Sequence, residues 1–225
     1  MMWYLSRKKE KQSHQLSYVG GKPSLPRNTA LPRCTLCSKR LTFMFQVAFP
    51  DVCVWERMTL ACFVCMRCAD ERFLIPEMLR EHQRGADIPG GFLSLYQRNF
   101  RFIVFPTLQA QKVDDYVEET EFYSLQFSDN SDRFDFGKIG GKPSWLLEDE
   151  TPATYDSSTP MEFLMELVPG LQFSVVDGAS PQVELDIFGM PSPSPLEYYQ
   201  LFLGNSIYLF GTKDGEPLVY AITQT

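Results

Sequence analysis

Apolar residues along the chain fall in short runs divided by turn-forming residues, with little helical spacing. LTFMFQVAF (residues 41 to 49), MTLACFVC (58 to 65), FLSLYQRNFRFIVFP (92 to 106), EFYSLQF (121 to 127) and SIYLFG (206 to 211) cluster or alternate aromatic and β-branched side chains, as strands do. The first two predict a hairpin-like pair. Helices are expected in two places, PEMLREHQRG (76 to 85) and SPLEYYQLFLG (194 to 204), each with a Pro start and a Gly stop. GMPSPSP (189 to 195) reads as a rigid, extended surface connector.

The pentapeptide GGKPS occurs twice, at residues 20 to 24 and 140 to 144. Sliding the chain over itself by this spacing also places Pro32 on Pro152, Phe43 on Phe163 and Gln46 on Glu166, with no gap. A looser match sets LACFVCMRC (60 to 68) against SIYLFGTKD (206 to 214). The pattern predicts a duplication. The expected fold class is therefore α+β, mostly β, with two pseudo-symmetric repeats packed into one body and a few short helices. Residues 1 to 18 read as an N-terminal tail, 19 to 105 as the first repeat and 106 to 225 as the second. Within each motif, paired glycines suit a turn of positive φ and the proline an extended exit. The Lys is not followed by Ser or Thr in a phosphate-loop frame.

With 225 residues, 44% of them hydrophobic, the chain can bury a real core, and no apolar run nears the roughly 20 residues that span a bilayer. The start, MMWYLSRKKEKQSHQ, lacks the order of a secretory leader. A soluble, cytoplasmic protein is expected, with no membrane partner and with cysteines reduced or metal-bound. Charge divides sharply: residues 1 to 105 hold 16 Lys+Arg against 8 Asp+Glu, and residues 106 to 225 hold 5 against 20. So acidic a second half disfavours nucleic acid and suits a basic protein partner. Candidate contacts are Asp114, Asp115, Tyr116, Glu118 and Glu119, together with Asp132 and Asp135, where acids alternate with aromatic residues.

All six cysteines lie between positions 34 and 68. Cys34 with Cys37, and Cys65 with Cys68, form two C-x-x-C knuckles that predict a four-thiolate structural zinc site. Cys62 makes a competing C-x-x-C with Cys65. Such a site has no open coordination position, and no catalytic constellation is evident; His14 lies in the polar N-terminal tail and His82 on an expected solvated helix face. No enzymatic activity is expected. Thr154 and Ser157 align with Cys34 and Cys37, so the second copy lacks the ligands.

The order GGKPSLP, C-x-x-C, LTFMFQV and a strand ending in C-x-x-C resembles the zinc-bearing half of the programmed-cell-death-protein-2 family. GKIGGKPSWLLEDETP, MEFLMEL and GNSIYLFG are similar to the bacterial YwqG-like family, which shares the duplicated architecture. The resemblance implies a mostly β, pseudo-symmetric binding module without enzymatic activity. Eukaryotic members act as chaperones for a basic ribosomal protein, and some bacterial relatives look like immunity proteins of toxin systems. Two departures stand out: the second half lacks a Cys pair, and Glu166 stands where Gln is common. The expectation is an immunity protein that binds its cognate toxin, with a client chaperone as the alternative.

Overall fold

The computed structural model describes residues 2–51, 53–80, 84–131 and 134–225. In chain order the strands are β1 (Met2–Lys9), β2 (Tyr18–Val19), β3 (Ser24–Leu25), β4 (Thr42–Ala48), β5 (Met58–Val64), β6 (Asp87–Ile88), β7 (Phe100–Pro106), β8 (Gln111–Lys112) and β9 (Tyr123–Ser128). They continue as β10 (Gly137–Gly140), β11 (Thr154–Tyr155), β12 (Thr159–Leu167), β13 (Gln172–Ser174), β14 (Val183–Leu185), β15 (Pro191–Pro193), β16 (Tyr198–Gln200), β17 (Ser206–Thr212) and β18 (Val219–Gln224). The protein is mostly β. Helix is confined, among the described residues, to α1 (Phe92–Leu95) and three short 3-10 turns.

One large mixed sheet runs β18-β17-β12-β10-β1-β9-β2-β4-β5-β7, with β11 and β6 attached beyond β12. Every pairing in it is antiparallel except that of β6 with β11. The expected hairpin forms as β4 and β5, the strand over residues 121 to 127 as β9, and that over 206 to 211 as β17. The stretch 92 to 106 divides, its first part becoming α1 and its second β7.

Segments that flank the strands of one end of the sheet reach across to the strands of the other. Trp55, between β4 and β5, donates its indole N–H to Thr212 O at 2.8 Å. It lies so close to β17 that a Cβ at Gly211 would stand 2.4 Å from the ring, and so a glycine is required there. Tyr96 donates its hydroxyl to Val219 O at 2.6 Å and accepts from Ala221 N at 3.2 Å. Both halves therefore feed one core, which contains Phe45, Leu60 and Phe100 beside Met165, Leu209 and Tyr220. A second, smaller cluster lies on the outer face of β4, β5 and β7 and includes Phe43, Phe63 and Tyr116.

Three expectations are overturned. Residues 2 to 9, read as tail, are β1, the strand between β10 and β9; Leu5 is fully buried and Trp3 packs against the core, while Lys8 and Lys9 point to solvent. The alternation was strand-like, and the basic end obscured it. The helix over 194 to 204 is instead β16 followed by a 3-10 turn, because Tyr199 must bury its ring and pair with Phe173. Pro76 to Arg80 are not helical either: Leu79 N donates to Tyr220 OH at 3.0 Å and Met78 packs on the core, so this segment lies over β18. The rest of that expected helix up to 83, with His82, lies outside the described residues. The proline-rich connector is extended and exposed as expected, but it is paired, with β15 opposite β14.

Candidate metal centre

Strand alternation decides which cysteines meet. Along β5, Leu60, Cys62 and Val64 face the main core, whereas Ala61, Phe63 and then Cys65 face the smaller cluster. Cys62 is thus turned away from Cys65, fully enclosed, with burial pushing its thiol up. It is not a ligand candidate. This was available from the period of two.

The first knuckle is a tight loop closed by an Arg33–Arg40 bridge. Cys34 N donates to Lys39 O and Ser38 N to Cys34 O, each at 2.9 Å, with Ser38 at φ 61° to turn the chain. The second knuckle directly follows β5. The loop before β7 holds both: Thr35 N donates to Arg98 O at 2.8 Å and Cys65 N to Asn99 O at 2.7 Å.

The result brings the Sγ atoms of Cys34, Cys37, Cys65 and Cys68 within 4.8 Å of one another. Cys34–Cys68, Cys37–Cys65 and Cys65–Cys68 stand at 3.7, 3.6 and 3.5 Å. A sulfur tetrahedron around an ion at about 2.3 Å has edges of about 3.8 Å. The spacing matches that far better than a disulfide, which needs about 2.05 Å, and all four cysteines are free. The residues present therefore fit a thiophilic divalent cation. Cys65 donating to Cys34 lowers Cys34 to about 5, whereas burial raises Cys68 to about 12 and Cys65 is driven up by that donation and by burial. Ionising all four at this spacing calls for a bound cation.

Among the described residues, the expected partner-binding positions lie in the loop after β8 and just before β10. Asp114, Asp115 and Glu118 are exposed on the loop after β8. Tyr116 between them is buried, its hydroxyl accepting from Phe43 N at 2.7 Å. Glu119 pairs with Arg67, inside the second knuckle, and accepts from Thr42 Oγ1. Both are thus engaged within the chain, Glu119 tying the knuckle to the loop after β8. Asp135 accepts from Arg7 N at 2.7 Å and Arg7 Nε at 3.0 Å at the edge of β1, and Asp132 lies outside the described residues. Unforeseen in the sequence is a cleft beside the second knuckle, walled by β14 and the turn after β16.

Comparison with protein-family models and with curated proteins gives no match.

Proposed function

We propose that the chain is a duplicated, zinc-stabilised, non-enzymatic binding module of the YwqG-like and programmed-cell-death-protein-2-like kind, serving as an immunity protein that covers a basic toxin domain. The observation that carries the binding reading is a charge vacancy of one sign: residues 143 to 212 contain ten Asp or Glu and no Lys or Arg. Three of these acids pair with cations from outside the stretch, Asp149 with Arg84, Glu162 with Lys213 and Glu166 with Lys138; the excess that is left attracts cations, speeds encounter with a basic protein and repels an acidic one.

The duplication reading is supported by matching registers. Tyr18 pairs with Gln46 and Val19 with Phe45, while Lys138 pairs with Glu166 and Ile139 with Met165, each residue 120 positions from its counterpart. A bulge follows Phe43 in β4 and Phe163 in β12. Gly20 and Gly21 have φ of 63° and 67°; Gly140 and Gly141 have 70° and 72°. Across the next strand, Phe43 meets Phe63 at 5.3 Å and Phe163 meets Phe210 at 5.6 Å, which sets Leu60 against Ile207, one residue from the looser alignment above. The proposed two-fold passes through the Ser6–Gln126 pair of β1 and β9, on either side of which Tyr4 faces Ser128 and Lys8 faces Ser124. In this reading the two units exchange first strands: β1 lies beside β10, and β9 beside β2.

Zinc is the proposed occupant of the four-cysteine cluster because its thiolate preference and tetrahedral geometry suit four sulfurs at these spacings. Four protein ligands leave no place for substrate, which makes the role structural. The test is affinity purification from the native host with identification of what co-elutes. A secreted toxin domain bound in equal stoichiometry supports immunity; a ribosomal or other housekeeping protein would replace it with the chaperone reading, and an acidic partner would overturn both.

A further inference from the structure

The β14–β15 hairpin is joined to the second knuckle by a backbone hydrogen bond, Val183 N donating to Met66 O at 3.0 Å. Between them opens a cleft of about 170 Å³, whose walls include Phe73, Leu74, Leu185, Phe202 and Leu203 and whose floor includes Cys65 and Cys68. Since an apolar cavity of about 150 Å³ accommodates benzene, this cleft has room for one large apolar side chain. Glu184 is the one charged residue among those described that line it.

The rim is built to display apolar groups. Leu203 is 59% exposed, in a turn where Phe202 and Leu203 both adopt left-handed backbone, with φ of 45° and 63°. Such backbone is costly for residues with a Cβ and persists where the surroundings enforce it. Here Phe202 is locked edge-on against Phe100 at 5.3 Å, and Leu203 is thereby turned outward. Beyond it, the hairpin tip exposes Ile187 by 93%, Phe188 by 82% and Met190 by 63%. The tip is a formed turn: the Asp186 carboxylate accepts from Phe188 N at 2.8 Å and Met190 N at 2.9 Å. Pro191 and Pro193 stand in β15 where an outward N–H would otherwise be offered, so recognition by strand addition is blocked and falls to side chains.

We propose that this cleft and hairpin tip receive a segment of a basic protein partner that carries a large apolar side chain next to Lys or Arg. The apolar side chain fills the cleft, the cation meets Glu184, and Ile187, Phe188 and Met190 cover the flank. The inference rests on the basic-partner reading above and adds the site to it. Its occupant is a basic segment and not an acidic or neutral one, because Glu184 is the charge that the lining offers, while the cations that border it, Arg72 beside Phe73 and Arg67 in the knuckle, are already paired with Asp70 and Glu119. The second knuckle forms the floor, which makes the metal centre a scaffold for recognition.

A phage-displayed library of random peptides, panned on the intact chain, tests this. Selected peptides should place Lys or Arg beside Leu, Met or an aromatic residue. Their binding should fall about tenfold on Glu184→Gln and likewise on Phe188→Ser with Leu203→Ser. The combined change Asp114→Asn, Asp115→Asn, Glu118→Gln should leave it intact. Basic peptides sensitive only to that last combination would overturn the cleft while sparing the basic-partner reading. Peptides lacking Lys and Arg would overturn both. No selected peptide, or self-association of the chain that Phe188→Ser abolishes, would overturn the cleft as a partner site. Equal urea midpoints for all variants secure the comparison, since the altered side chains are exposed or line an open cleft.

Discussion

The two GGKPS neighbourhoods share a backbone register and differ in their chemistry. At the first, Gln46 Oε1 accepts from Ser24 N at 3.1 Å and from the Tyr18 hydroxyl at 3.2 Å, a buried neutral cluster. At the second, Glu166 Oε2 accepts from Ser144 N at 2.7 Å, and Lys138 Nζ lies 3.4 Å from Glu166 Oε1 and donates to Ser144 Oγ at 2.6 Å. A neutral pair and an ion pair thus perform one task, holding the Ser that follows the glycine turn against its neighbouring strand. What is common to both is the requirement that this turn be tied down; which side chains tie it is free to vary. The loops beyond the motifs diverge further, one carrying the Cys34 and Cys37 knuckle and the other Thr154 and Ser157.

The largest asymmetry is the four-cysteine cluster, the proposed zinc site. Cys34→Ser should destabilise the protein by several kcal/mol and lower its melting temperature by more than about 10 °C, because an incomplete thiolate set loses much of the ion's folding free energy. Thr154→Ala, at the aligned position, should cost about 1 kcal/mol, through the lost hydroxyl bond to Asp87. Calorimetry on both, with zinc counted by a chelating dye, checks this. Equal losses in the two variants, or a wild-type chain that binds no zinc, would remove the structural-metal reading.

Next is the ion pair. Glu166→Ala strands Lys138 with its side chain only 7% exposed, and should cost about 3 kcal/mol. Gln46→Ala leaves neutral groups unpaired and should cost about 1–2 kcal/mol. Urea unfolding of the pair ranks them, and a reversed order would mean that the second cluster is hydrated. Gly20→Ala belongs with these at about 2 kcal/mol: φ is 63° and the new Cβ would stand 2.0 Å from Glu121 O.

The two neighbourhoods were unequally legible. Two C-x-x-C knuckles separated by two strand-like runs announced the cysteine cluster but left Cys62 competing with it, until the alternation of β5 turned Cys62 to the main core and Cys65 to the smaller one. The strands with dense aromatic and β-branched content were legible for the same reason. β1 was not, because its inward residues Trp3 and Leu5 are followed by a run of charge whose polar look extends past the strand end. Pro and Gly punctuation around residues 194 to 204 satisfied the helix rule, yet pairing of Tyr199 opposite Phe173 outweighed local preference. Tyr116 and Glu119 looked like their exposed neighbours, and only the non-local partners Phe43 N and Arg67 distinguish them. The cleft was least legible of all, since its walls come from segments more than a hundred residues apart.

The smallest expected effect is the sharpest test of the comparison. Lys138→Tyr with Glu166→Gln writes the first cluster into the second. In the shared register Phe163 is the counterpart of Phe43 and Met2 that of Phe122, the two rings that pack against Tyr18, so the incoming ring should meet apolar neighbours on both sides. Its hydroxyl replaces the ammonium near Ser144, and the new amide oxygen accepts from Ser144 N as Gln46 does from Ser24 N. Neither buried charge remains, and removing a buried ion pair as a unit is often neutral where removing one partner is not. The double variant should therefore fall within about 1 kcal/mol of the wild type, well above Glu166→Ala, by urea unfolding. If it is instead less stable than that single substitution, the two turns are not interchangeable environments, and the shared register is a coincidence of β-hairpin geometry rather than the trace of one unit copied.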